Sequence, residues 1–288
     1  LYNGKRDTAS STPNPCLSSE KLLEETVRYA RFVFDMYEVP MLSIWPDDGL
    51  TAMCQCEKCK GKDTPERGRV AIEVEKTHPD KLIIGGAYST YWLPPQDIEK
   101  LNSNVAVHIV NARRRYHMSP EETKKRRDAV RAWAQMTDGK VISFMNHGGG
   151  ANTPHIFAED VKAYQGLIQG EDMWGPYHRG RLAAPGFNHL NYYVSARMWW
   201  DMDRNIDELL AEYYDRFYGP AAEEMKAFVD YYEINQKEMR GINSAPIIKK
   251  ALDLFSEVEA AVHPDSVYGK RVSMFSKGLE PERQFYDK

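Results

Sequence analysis

Leu82-Ile83-Ile84-Gly85-Gly86-Ala87-Tyr88 is apolar almost throughout, with no polar residue at alternate positions. A strand that shows one face to water alternates, whereas a strand covered on both faces reads as a continuous apolar run. This stretch therefore predicts a buried strand of a parallel sheet. Working outward, Ala71 to Thr77 reads as the end of a helix, and Val105-Ala106-Val107-His108-Ile109-Val110 reads as a second buried strand. Further upstream, Leu22, Leu23, Val27, Ala30, Val33, Phe34 and Tyr37 recur at helical spacing behind a Ser18 or Ser19 cap, and Glu38-Val39-Pro40 stops that helix. A strand over 41–46 follows, in Leu42-Ser43-Ile44-Trp45-Pro46-Asp47-Asp48-Gly49.

The alternation continues downstream. Ser119-Pro120-Glu121-Glu122 is a capping box with proline at the first helical position, and its helix carries Ala129, Val130, Trp133 and Met136 on one face. Val141-Ile142-Ser143-Phe144-Met145 is a further strand, ending in Asn146-His147-Gly148-Gly149-Gly150. A helix near 157–165 leads to Gly166-Leu167-Ile168-Gln169-Gly170-Glu171-Asp172, with Glu171 expected at a strand's end. About five strand units joined by helices predict an α/β fold. We read residues 1–200 as the C-terminal part of a (β/α)8 TIM-like barrel whose early strands lie upstream, since such a barrel takes eight. An open doubly wound sheet is the alternative. Residues 201–288 read as a helical extension: Ile206 to Phe217, Ala221 to Met239, Ile247 to Val262, and a polar, frayed tail from Asp265.

The chain has 288 residues and a net charge of -4, so no basic surface points to nucleic acid. No apolar run is long enough to span a membrane. The chain opens at Leu1, without a signal peptide, and reads as an internal piece of something longer. Its 17 Tyr, 10 Phe and 6 Trp often stand beside polar residues, the mixture a sugar's apolar face and polar rim require. Cys16, Cys54, Cys56 and Cys59 form a cluster in which thiolates suit a structural Zn²⁺, while a secreted protein would more naturally hold disulfides. Both readings stay open. Gly148-Gly149-Gly150 lacks the Lys-Ser/Thr of a phosphate loop.

Asn3-Gly4-Lys5-Arg6, Asn14-Pro15-Cys16-Leu17, Pro46-Asp47-Asp48-Gly49, Cys54-x-Cys56-x-x-Cys59, His78-Pro79-Asp80-Lys81 and Leu209 to Met225 carry a resemblance over most of residues 1–240. The chain resembles a large bacterial family of domains of unknown function that follow an α-glucuronidase-like N-terminal domain and include endo-β-N-acetylglucosaminidases. The resemblance implies a TIM-barrel glycoside hydrolase of a secreted or periplasmic carbohydrate-degrading system. It implies a glycan substrate, no cofactor needed for catalysis, and an N-terminal domain of the same parent chain as neighbour. The sequence departs from the family between the cysteine loop and the helix before His78. It departs again at Asn146 and His147, where an acid is expected.

Catalytic groups of barrels stand at the C-terminal ends of strands. On that basis Glu171, near Met173 and Trp174, is the candidate general acid/base. Asp48 and Asp47 are the candidates to assist it, as the paired acids of hexosaminidases do when the substrate's acetamido group is the nucleophile. The plainer reading of Pro-Asp-Asp-Gly is a turn. Trp45, Tyr88, Tyr91, Trp92 and Trp174 are candidate sugar platforms. His108, Asn111, Arg113, Asn146 and His147 are candidate polar contacts. Arg6 or Arg113 would instead favour a uronic acid, whose carboxylate a guanidinium matches. A non-catalytic carbohydrate-binding barrel and a zinc-binding interaction module complete the alternatives.

Overall fold

The structure, a computed structural model, describes residues 16, 18–45, 56–59, 68–88, 91–96, 98–110, 118–146, 153–174, 183–240 and 244–286. The chain forms two compact units. The first takes Leu1–Val110, Lys125–Phe144 and Gly166–Glu171; the second takes Asn111–Lys124, Met145–Gln165 and Asp172–Lys288.

α1 (Glu20–Tyr37), in the first unit, starts where Ser19 Oγ accepts from Leu22 N and ends where Glu38 turns left-handed at φ 50°. β1 (Met41–Ser43), α2 (Gly68–Glu75), β2 (Leu82–Ala87) and β3 (Val105–Val110) follow. α3 (Pro120–Met136) opens with the reciprocal capping box: Ser119 N–H donates to Glu122 Oε2 at 2.7 Å, and Glu122 N–H to Ser119 Oγ at 3.1 Å. β4 (Val141–Asn146) and β5 (Gly170–Trp174) complete a five-stranded sheet of order β1-β2-β3-β4-β5. The pairs β1–β2, β2–β3 and β3–β4 are parallel. A doubly wound sheet reverses its order at a switch point. Among the described residues this sheet does not reverse. Five strands in sequential order are what an arc of a barrel contains; a full barrel's further strands are not among the described residues.

One face of this sheet carries most of the unit's core. Ile83, Ala87, Val105, Val107, Ile109, Val141, Ser143 and Met145 alternate onto it and are all buried. Val27, Ala30 and Phe34 of α1, Val70, Ala71 and Val74 of α2, and Val130 and Trp133 of α3 are buried in the same unit. Asn104, buried just before β3, ties this layer together: its Nδ2 donates to Ala71 O at 2.8 Å, and its main-chain O accepts from Ile83 N at 2.9 Å.

The second unit is helical and holds α4 (Pro154–Ala163), α5 (Ala183–Trp200), α6 (Ile206–Tyr218), α7 (Ala222–Asn235), α8 (Ala245–Ala260), α9 (Val267–Ser276) and α10 (Glu280–Tyr286). Its core gathers Phe187, Leu190, Tyr218, Phe228, Tyr232, Phe255 and Phe275. No helix among the described residues is long and apolar enough to cross a membrane.

Three expectations need correction. The tail from Asp265 is ordered as α9 and α10; Ser266 Oγ caps α9 from Gly269 N, and Val272, Phe275 and Leu279 are buried at spacings of one helical face. α4 begins at Pro154 rather than 157, because Glu233 of α7 supplies a cap that no local motif announces. Glu171 is the second residue of β5, not a residue at its end. The chain uses the residues after α4, with Gly166 at φ 73°, to turn towards the sheet, so the strand starts only at Gly170.

Candidate functional site

The second face of the sheet is only partly covered. Parallel register sets Ser43 beside Ile84, Gly86 beside His108, His108 beside Ile142 and Val110 beside Phe144. Side chains alternate along a strand, so Gly86, Tyr88, His108, Val110, Ile142 and Phe144 share this face, and Trp45, two residues beyond Ser43, joins them. Trp45, Tyr88, His108 and Phe144 are each half-buried.

Their rings form one cluster. His108 stands edge-on to Trp45 with centroids 5.4 Å apart and edge-on to Phe144 at 5.3 Å. Trp45 lies 5.9 Å from Phe144 and 6.4 Å from Tyr88. These are favourable aromatic separations, with edge-to-face geometry at His108. The glycine at 86 makes the cluster feasible: a Cβ there would meet Trp45 Cε2 at 2.7 Å. Trp45 Nε1 is buried and has no hydrogen-bond partner among the described residues, which leaves a directed donor within the cluster.

Glu171 belongs beside this cluster by register. Gln169 N donates to Val141 O at 2.8 Å, the parallel ladder bond that aligns Gln169 with Ile142. Two residues on, Glu171 is level with Phe144 and on its face. It is half-buried, while Asp172, pointing the other way, is exposed. Aromatic rings can stack on a polyol's C–H face, and a half-buried carboxyl at the same level of the sheet can exchange a proton with one of its oxygen atoms.

The other aromatic candidates are engaged elsewhere in the same unit. Tyr91 is buried and edge-on to Tyr88 at 6.5 Å. Trp92 Nε1 donates to Val110 O at 3.2 Å, its main-chain O accepts from Trp133 Nε1 at 2.9 Å, and the Arg126 guanidinium covers its ring at 4.7 Å. Both hold up the cluster's rim rather than offering a free ring face. Asp47, Asp48, Asn111, Arg113, His147, Arg6 and Cys54 lie outside the described residues. Asn146 and Trp174 end β4 and β5, and their side chains lie outside what is described. Phe144 was not among the sequence candidates; the signal was its place in β4 two residues before Asn146, at the end of the strand where the site residues were sought.

His189, in the helical unit, is a satisfied structural histidine. Its Nδ1 bonds Gly186 O at 2.7 Å and its Nε2 pairs with Tyr218 Oη at 3.2 Å. Burial holds its pKa below the ordinary value. Cys16, Cys56 and Cys59, on the other hand, do come together, with Sγ atoms all within 4.8 Å and no disulfide among them.

A family model described as a domain of unknown function (DUF4838) matches residues 1–230. No curated protein and no solved structure matches the chain.

Proposed function

We propose that this chain, which belongs to the DUF4838 family of domains of unknown function, is a glycoside hydrolase acting on complex glycans. The observation that carries the reading is the half-buried cluster of Trp45, Tyr88, His108 and Phe144 with Glu171 level with Phe144. Aromatic faces take the C–H face of a pyranose, and a half-buried carboxyl beside them is suited to protonate a glycosidic oxygen.

The finer reading is a retaining β-N-acetylhexosaminidase with substrate assistance, secreted or periplasmic and joined to an N-terminal domain of the same parent chain. The acetamido oxygen attacks the anomeric carbon as the glycosidic C–O bond breaks. Glu171 delivers its proton to the leaving oxygen, and an oxazoline forms. Glu171, now a carboxylate, takes a proton from water as that water opens the oxazoline, so configuration is retained. Asp47 and Asp48 orient the acetamido group in this scheme.

One observation favours a second reading, a non-catalytic carbohydrate-binding domain. Glu171 stands second in its strand rather than at the end, and β4 ends in the amide Asn146. The test is hydrolysis of N-acetylglucosamine-containing glycans and uronic acid oligosaccharides by wild type and Glu171→Gln. A general acid's loss lowers kcat by about 10²–10⁴ with sugar binding retained. Hydrolysis that survives the substitution moves the acid to Asp47 or Asp48. Binding without any hydrolysis selects the second reading.

A further inference from the structure

We propose that Cys16, Cys56 and Cys59 are ligands of a structural zinc ion that fastens the chain between β1 and α2 to the start of α1. The inference is independent of the catalytic reading.

Two tight turns present the sulfurs. Ser19 N bonds Cys16 O at 3.1 Å, closing the turn that leads into α1. Cys59 N bonds Cys56 O at 2.9 Å, closing the turn that carries the other two. Cys16 Sγ is then 3.8 Å from Cys56 Sγ and 4.0 Å from Cys59 Sγ. Zn–S bonds of about 2.3 Å at the tetrahedral angle put sulfurs about 3.8 Å apart. The two distances from Cys16 match that spacing, and all three sulfurs lie within 4.8 Å of one another, as the ligands on one face of a tetrahedron do.

The surroundings fit a thiolate–metal centre. Ser18 Oγ lies 3.3 Å from Cys16 Sγ, 3.4 Å from Cys56 Sγ and 3.2 Å from Cys59 Sγ, so its one O–H is in reach of each sulfur and can donate to one thiolate at a time. Such outer hydrogen bonds spread thiolate charge and fix ligand orientation. Thiolates select soft or borderline ions, and a ligand set dominated by Cys sulfur is the pattern of structural zinc, whereas catalytic zinc is held mostly by His and carboxylate. The Arg69 guanidinium binds the Glu20 carboxylate through both nitrogens, at 2.9 and 2.7 Å, tying the first turn of α1 to that of α2 a few residues away. The ion would therefore complete a clamp between the same two helix starts.

The test is metal content of the full chain, purified under reductant from zinc-supplemented medium. We expect about one zinc per chain, as a structural site retains its metal through purification. Co²⁺ in its place should show thiolate-to-metal charge transfer and the intense visible bands of a tetrahedral ion. Cys16→Ser, Cys56→Ser and Cys59→Ser should each reduce zinc to background. Cys59→His, which keeps a ligand, should retain it with weaker charge transfer. That variant separates loss of the ligand from loss of the fold. Absence of zinc in the wild type overturns the proposal. So does full zinc in Cys59→Ser, or a Cys16–Cys56 disulfide found in the protein as isolated.

Discussion

The Trp45 indole covers Gly86, so closely that a Cβ on residue 86 would stand 2.7 Å from its Cε2 and 2.9 Å from its Cδ2. Gly86 and His108 are register partners, and His108 is edge-on to the same indole. The bare backbone at 86 is thus what lets three strands share one ring cluster.

Gly86→Ala should push the indole off the sheet. Overpacking of this kind costs about 1–3 kcal/mol. In a Trp45→Ala background the same substitution should cost almost nothing, and a denaturant double-mutant cycle reads the difference directly. Glycan affinity should drop in each single variant. Equal costs in both backgrounds would mean that Trp45 does not cover residue 86.

Asn104 is buried, with its amide on Ala71 O and its side-chain carbonyl accepting from Asn102 Nδ2 at 2.6 Å. Asn104→Leu leaves the Ala71 carbonyl without its donor. We expect a loss of about 1–3 kcal/mol by urea unfolding. Asn104→Asp should be no better, since a carboxylate cannot donate to Ala71 O.

His155 ties three helices of the second unit. Its Nδ1 meets Glu233 Oε2 at 2.7 Å and its Nε2 meets Asp207 Oδ1 at 3.2 Å, while Glu233 Oε1 accepts the main-chain N–H of His155 and Ile156. The hydrogen bond to Glu233 does most to raise the His155 pKa from 6.5 to about 9; burial opposes it, and the Glu233 and Asp207 charges add to it. The folded state therefore binds more protons than the unfolded chain between these values. Stability from this contact is complete below pH 6.5 and lost as pH rises through about 9. Thermal unfolding from pH 6 to 10 should show Tm falling in that window, and His155→Gln should flatten the fall.

Ser119→Ala removes one arm of the capping box and should cost about 1 kcal/mol. Glu122→Ala in addition should cost less than its own single effect, because the two bonds close one reciprocal motif. Chemical denaturation of the single and double variants measures both terms.

Local chemistry was legible in the sequence wherever a few neighbouring residues carried the information. The Ser119–Glu122 box, the Ser19 cap and the continuous apolar runs of β2, β3 and β4 all follow from short-range sterics and hydrogen bonding. The adjacency of Cys16 to Cys56 and Cys59 was hinted by composition but not by spacing, since the partners are 40 and 43 residues apart. The sequence does not announce α9 because polar residues dominate it, while Gly269, Val272 and Phe275 are its buried ones.

The sequence by itself determined which residues form strands and helices, because alternation, apolar runs and caps act within a turn or two of chain. Only the tertiary structure decided what those elements present together. Register between strands aligned Trp45, His108 and Phe144, placed Glu171 beside Phe144 instead of at a strand end, and gave the face of Trp92 to Arg126. Glu233 likewise caps a helix that lies far from it in sequence. Such contacts depend on how separate segments meet, and a one-residue slip would turn each strand's other face to the site.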